Sequence, residues 1–140
     1  MTSPMTSETT SETPSQTITA RIVIADDDQD TLDLLHRALR SATTEIVEAA
    51  SGAELIQRLA EDGPFDLIVT DIQMPWMHGL DVLRSARAAD VTTPTLVVTG
   101  ASRAEHQATV ARLGNARLLR KPFGIAALRE AVAALLGHGA

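Results

Sequence analysis

Short runs of β-branched residues alternate with helical periodicities from residue 21 onward, and this alternation constrains the fold more than any other feature. "RIVIA" (21–25) predicts a strand, and Leu32, Leu35 and Leu39 share one face of a helix from about 29 to 41. "TEIVEA" (44–49) predicts a second, half-exposed strand. Leu55, Ile56 and Leu59 mark a helix over 52–61, which "EDGP" stops. "FDLIVTD" (65–71) is a third strand, followed by a helix over about 79–89 through Leu80, Leu83 and Ala86. "TPTLVVTG" (93–100) is a fourth, followed by a helix over 103–112 whose apolar face is mostly alanine. "ARLLRK" (116–121) is a fifth, and Ile125, Leu128, Val132 and Leu135 place the last helix over about 124–136. Strands separated by helices cannot pair as hairpins. Their connections must cross over, which gives a parallel sheet with helices on both faces. The predicted fold class is α/β, a doubly wound (βα)5 unit with a five-stranded parallel sheet in the common order 2-1-3-4-5.

Before this pattern lies "MTSPMTSETTSETPSQTITA", which has Ile18 as its one β-branched aliphatic. Such a segment cannot bury enough apolar surface to offset the entropy of ordering. Residues 1–19 are therefore expected to form a disordered Ser/Thr-rich tail, and 20–138 the single domain. After the last helix only "GHGA" follows, so no fused output domain is expected. The absence of cysteine excludes disulfides, thiolate metal sites and cysteine nucleophiles. No apolar run approaches the ~18 residues of a membrane span, and the first twenty residues lack the features of a secretory signal. A cytoplasmic protein with no membrane partner is the expectation. Net charge is −6 overall, and the basic residues gather toward the end: five Arg and Lys121 lie after residue 100 against Glu105 and Glu130. This argues against direct DNA binding and leaves room for an acidic partner at the last elements.

The reactive-looking side chains fall at strand ends. Asp26 and Asp27 follow the first strand, Asp71 ends the third, Thr99 ends the fourth and Lys121 ends the fifth. Open parallel sheets bind ligands outside the carboxyl ends of their strands. In the order 2-1-3-4-5 these strands are neighbours, so the five side chains would share one pocket. Three carboxylates there call for a divalent cation, and hard oxygen donors without His or Cys favour Mg²⁺ or Mn²⁺. A carboxylate beside such a metal, an ammonium and a hydroxyl is suited to attack a phosphoryl group. Lys121 is the only lysine among twelve basic residues, which hints that a compact ammonium is needed there. Asp28 and Asp30 read instead as helix-start charges, and His36, His106 and His138 as solvated side chains.

The pieces "ADDDQD", "DLIVTDIQMPWMHGLDVL", "VVTG" and "RKPF" occur in the order and spacing of one family. Over about 21–137 the chain resembles the receiver domain of two-component response regulators, of the stand-alone type, with a flavodoxin-like fold. The resemblance implies that Asp71 is a phosphoacceptor taking its phosphoryl group from a sensor histidine kinase or histidine phosphotransfer protein. It implies Mg²⁺ held directly by Asp27, partly through water by Asp26, by Asp71 and by the backbone carbonyl of Gln73. Thr99 would swing toward the phosphate and Lys121 pair with it, and the Lys121–Pro122 bond would be cis. His78, Trp76 and Met77 lie in the loop beside the acceptor, as packing or docking residues. Such a protein catalyses only its own phosphorylation and dephosphorylation, and is otherwise no enzyme.

Two positions depart from the family. Leu118 stands three residues before Lys121, where the family usually has Tyr or Phe as the partner of the switch Thr. Ala101 offers no polar group two residues after Thr99, and Gln73 occupies the position two after Asp71. The leading expectation is a phosphorylatable receiver that switches its contact with a downstream protein at helix four, strand five and helix five. That surface carries Arg103, Arg112, Arg117, Arg120 and Arg129. Leu118 keeps open a non-switching adaptor, or a phosphorelay intermediate that acts as a phosphate sink. A dehalogenase-type phosphatase would need Asp-x-Asp-x-Thr/Val at the first strand, and "DDDQD" does not provide it. A nucleotide-binding fold would need a glycine-rich loop there.

Overall fold

The computed structural model describes residues 18–72, 79–88, 91–100 and 104–137, with the backbone alone described at 79–81 and 104–106. The elements are β1 (Ala20–Ala25), α1 (Gln29–Leu39), β2 (Thr44–Ala49), α2 (Gly52–Glu61) and β3 (Leu67–Asp71). They continue with α3 (Gly79–Ala88), β4 (Thr95–Thr99), α4 (Ala104–Leu113), β5 (Ala116–Arg120) and α5 (Ile125–Leu136). All pairings are parallel and the sheet order is β2-β1-β3-β4-β5, as predicted.

The strand side chains divide by their period of two. Ile22, Ile24, Leu67, Val69, Leu96 and Val98 face α1 and α5, where they meet Leu32, Leu35, Leu128 and Val132. Val23, Ala25, Ile68 and Val97 face the other way, toward Leu55, Val82, Leu83 and Val110 of α2, α3 and α4. The central strands β3 and β4 are buried at every position, whereas the edge strands β2 and β5 are only partly so. Continuous apolar runs in the middle and mixed ones at the edges are what a doubly covered parallel sheet requires.

Local chemistry sets the ends. Asp28 caps α1, accepting from the Asp30 amide at 3.3 Å and the Thr31 hydroxyl at 2.8 Å, so it is a helix-start charge as expected. Ser51 caps α2 by accepting from the Glu54 amide, while the Glu54 carboxylate accepts from the Ala50 amide. α1 ends two residues short of its predicted limit, because Arg40 is extended and Ser41 bridges to Thr44. β3 starts at Leu67, not Phe65, because Asp66 is held outside it. Its amide and carboxylate bond the backbone of Arg21.

His36 corrects the expectation of a solvated ring. It is half-buried, with Nδ1 2.7 Å from Glu48 Oε2 on β2. The apolar pattern of α1 carried no sign of this pair, since it joins positions twelve residues apart. Lys121–Pro122 is cis as expected, and Gly63–Pro64 is also cis. The tail reading falls outside the described residues up to position 17; Ile18 is exposed, and Thr19 donates its amide to the Thr43 carbonyl at 2.8 Å. Among the described residues no helix is long and apolar enough to cross a membrane.

Candidate functional site

The strand register assembles the site. Ala25 lies opposite Thr70, so one residue further Asp26 comes level with Asp71. Asp71 lies opposite Val98, and Thr99 opposite Arg120, so Thr99 and Lys121 follow at the same sheet end. Lys121 leaves β5 with its amide donating to the Thr99 carbonyl at 2.7 Å. Four strands therefore deliver their polar residues to one place. The predicted strand-end residues Asp26, Asp27 and Lys121 each sit one or two positions past the last ladder residue, and Asp71 and Thr99 are themselves the last.

Lys121 Nζ donates to Asp26 Oδ2 at 2.9 Å and to Asp71 Oδ2 at 3.2 Å. Asp26 is wholly buried, and its Oδ1 accepts the Asp28 amide at 2.9 Å. Burial holds the Asp26 carboxyl above the usual aspartate value; the Asp28 amide and the Lys121 ammonium offset this only in part, and Asp71 adds to it. Burial works against the Lys121 charge too, but the Asp26 hydrogen bond and the charges of Asp71 and Asp26 outweigh it and raise its pKa. Asp71 is buried, while Asp27 is exposed. A hollow of about 420 Å³, lined by Thr31, Leu34, Lys121, Pro122 and Phe123, opens beside the ammonium.

Carboxylate oxygens of Asp26, Asp27 and Asp71 lie within 4.8 Å of one another. Three hard, anionic donors at that spacing fit a hard divalent cation, and one ammonium leaves the cluster negative. Asp27, facing solvent, offers an entry path. Gln73, the expected carbonyl donor, lies outside the described residues, as do Pro75, Trp76, Met77, His78, Ala101 and Arg103.

Thr99 is fully buried on the same sheet face as Val97 and Leu118, which lie opposite each other in the ladder. Leu118 packs its hydrocarbon against the cluster of Val97 and Val110. Two contacts had no signal in the sequence. The Asp28 amide, on a residue read as a helix-start charge, also orients Asp26. The hydroxyl of buried Thr70 donates to the Asp71 carbonyl at 2.8 Å, which ties down the backbone just after the central carboxylate.

The family model for the response regulator receiver domain matches residues 22–133. The chain belongs to the receiver domain family. The transcriptional regulatory protein PrrA of Mycobacterium tuberculosis is 37% identical over 116 residues, covering 83% of this chain and 49% of PrrA. The response regulator receiver protein CpdR of Brucella abortus is 34% identical over 103 residues, covering 74% of this chain and 85% of CpdR. A solved CheY-like receiver domain from Methanospirillum hungatei superposes with a TM-score of 0.77 at 28% identity, covering 85% of this chain and 94% of that one. This receiver domain spans about half the length of PrrA. Its five strands, their order and the helices on both faces are those of the flavodoxin-like fold of these relatives.

Proposed function

We propose that this receiver accepts a phosphoryl group on Asp71 from a histidine kinase or histidine phosphotransfer protein, and that the phosphorylated form changes its contact with a downstream protein. The observation that carries the reading is the meeting of Asp26, Asp27, Asp71 and Lys121 at one sheet end. The unit is residues 20–138, acting in the cytoplasm, with 1–19 as a tail outside it.

A carboxylate oxygen of Asp71 forms an O–P bond as the P–N bond of the donor breaks, and the imidazole nitrogen leaves with the electron pair. Asp71 is held for this by its place at the end of a buried strand, so little positioning entropy remains to be lost. Asp27, Asp26 and Asp71 would hold Mg²⁺, with the Gln73 carbonyl as a further ligand. The bound Mg²⁺ would supply charge neutralisation on the transferring oxygens. Lys121 already rests 3.2 Å from Asp71 and can turn from the carboxylate to the incoming phosphoryl oxygens. Thr99 would donate its hydroxyl to one of them. The hollow between α1 and the residues after β5 gives a donor protein an apolar footing beside the ammonium. Downstream, the exposed Arg112, Arg117 and Arg120 suit an acidic partner at α4, β5 and α5 rather than nucleic acid or membrane, whereas Arg129 turns toward α1 and donates to the Ala38 carbonyl.

Incubation with Mg²⁺ and acetyl phosphate tests the acceptor. Intact mass is expected to rise by one phosphoryl group in the wild type, not at all in Asp71→Asn, and far more slowly in Lys121→Ala. An unmodified wild type would overturn the reading. A second reading draws on Leu118, whose side chain has no polar tip to follow Thr99 and is already packed in the apolar cluster. On that reading the receiver relays phosphate, or serves as a fixed adaptor or phosphate sink. Equal partner affinity with and without beryllofluoride and Mg²⁺ would favour it over the switch.

A further inference from the structure

Thr70 stands next to the acceptor in the chain but on the opposite face of the sheet. It lies opposite Ala25 on β1 and opposite Val97 on β4, and Val97 lies opposite Leu118 on β5. Ala25, Val97 and Leu118 belong to the apolar cluster covered by α2, α3 and α4. Thr70 is the one polar member of this row, and it is wholly buried. A valine would fill the same space, whereas a hydroxyl taken out of water costs free energy unless it is hydrogen-bonded. The Thr70 hydroxyl donates to the Asp71 carbonyl at 2.8 Å.

The ladder explains why that carbonyl takes a side-chain donor. In a parallel sheet successive residues turn their backbone groups to opposite neighbours. Ile68 turns to β4, its amide donating to the Pro94 carbonyl, so Asp71 turns to β1. The rungs between β1 and β3 end at Ala25 and Thr70, and the Asp26 amide is given to the Ala49 carbonyl on β2. The Asp71 carbonyl therefore stands one step past the last rung, and the Thr70 hydroxyl meets it there. The Asp71 side chain is turned the other way. Its neighbour across the sheet is Val98, in the cluster covered by α1 and α5, and its carboxylate lies 3.2 Å from the Lys121 ammonium. Thr70 thus acts on the main chain of Asp71 and not on its carboxylate. The hydrogen bond closes a small ring that contains both backbone torsions of Asp71, and the first of these aims its Cα–Cβ bond.

We propose that Thr70 is a positioning residue for phosphoryl transfer, whose hydroxyl fixes the Asp71 main chain so that the carboxylate stays aimed at the incoming phosphoryl group. This rests on the reading of Asp71 as phosphoacceptor. The tie matters most in the transition state, where an Asp71 oxygen must lie in line with the bond being broken. It does not touch the donor, so it leaves donor binding unchanged.

Phosphorylation by acetyl phosphate with Mg²⁺, followed as intact mass against time over a range of acetyl phosphate concentrations, tests this in the wild type, Thr70→Val and Thr70→Ser. The maximal rate of Thr70→Val is expected to fall about tenfold, the loss associated with one hydrogen bond that positions a reacting group. The acetyl phosphate concentration giving half that rate is expected to stay within about twofold, as for an interaction realised only in the transition state. Thr70→Ser keeps the hydroxyl, and its maximal rate is expected to stay within about threefold of the wild type. A purely packing role predicts the reverse order, because valine fills the row and serine leaves a gap. A Thr70→Val rate equal to the wild type, a change confined to the half-saturating concentration, or a Thr70→Ser slower than Thr70→Val would each overturn the proposal. A wild type that takes up no phosphoryl group would overturn the acceptor reading, and the proposal with it. Should Thr70→Val not fold, Thr70→Ala and Thr70→Ser, which differ by one hydroxyl, are compared in the same way, and equal maximal rates would overturn the proposal.

Discussion

Asp26 combines full burial, a carboxyl held above its ordinary pKa and a place among three acids. A raised acid in the folded state binds its proton more tightly than in the unfolded chain. Its contribution to stability is therefore present below the unfolded value and lost as pH rises through the folded one, so at neutral pH the ionised group costs stability. Asp26→Asn is expected to raise the thermal midpoint of the metal-free protein by about 2–5 °C, the range of single stabilising changes at strained sites. The same substitution is expected to weaken Mg²⁺ binding about tenfold or more, since the ligand set loses a charge. Calorimetry and a Mg²⁺ titration check the two halves, and a lower midpoint would show that the Lys121 pair outweighs the burial cost. Lys121 is shifted in the same direction, but at neutral pH it is charged and adds stability. Its raised pKa adds stability that is complete below about 10.4, the unfolded value, and is lost as pH climbs through the folded one. At this scale the identity of each group was legible as a polar residue closing an apolar run. Its partner was not: the resting contact of Lys121 with Asp26 joins positions 95 apart, and no spacing rule spans that gap.

Elements behave more locally, and their caps were readable to the extent that they use neighbours in sequence. Ser51 and Glu54 stand three apart before an apolar run, and they form a reciprocal cap on α2. Ser51→Ala is expected to cost about 1 kcal/mol in urea unfolding, with α2 amides losing protection first. Arg21 is the contrary case. Its guanidinium donates to the carbonyls of Asp62 and Pro64 at 2.6 and 2.8 Å, to Glu45 at 2.9 Å, and lies 4.8 Å over the Phe65 ring. One side chain at the foot of β1 thus fastens the turn between α2 and β3. Arg21→Met is expected to cost about 2 kcal/mol, and Arg21→Lys to restore less than half of it, because an ammonium cannot fork. Urea unfolding of the pair measures both. In the sequence Arg21 is only a charge at the start of the first predicted strand. The loop it holds lies more than forty residues away.

For the whole molecule, the sheet end is a trade between folding and chemistry. Burying Asp26 and Asp71 beside Asp27 stores repulsion that a divalent cation would relieve. Mg²⁺ at 100 times its dissociation constant is therefore expected to stabilise the fold by about 2.7 kcal/mol through mass action. Asp27→Asn should remove most of that shift while leaving the metal-free midpoint nearly unchanged, since Asp27 is exposed. Thermal melts with and without Mg²⁺ decide this, and a midpoint indifferent to Mg²⁺ in the wild type would count against the metal site. Away from that end, Arg21 fastens the turn between α2 and β3, and Arg87 of α3 donates to the Leu113 carbonyl at the end of α4.

By itself the sequence determined the five βα units, their parallel sheet and the convergence of Asp26, Asp71, Thr99 and Lys121. Each follows from local rules: periodicity sets the element, and a crossover connection sets strand direction and so which ends meet. Tertiary structure alone decided which oxygen the Lys121 ammonium rests on, that His36 pairs with Glu48, and that Arg87 holds the far end of α4. Those contacts are long-range and polar. They depend on distances of a few ångströms between elements, and a one-dimensional pattern carries direction and face but not that separation.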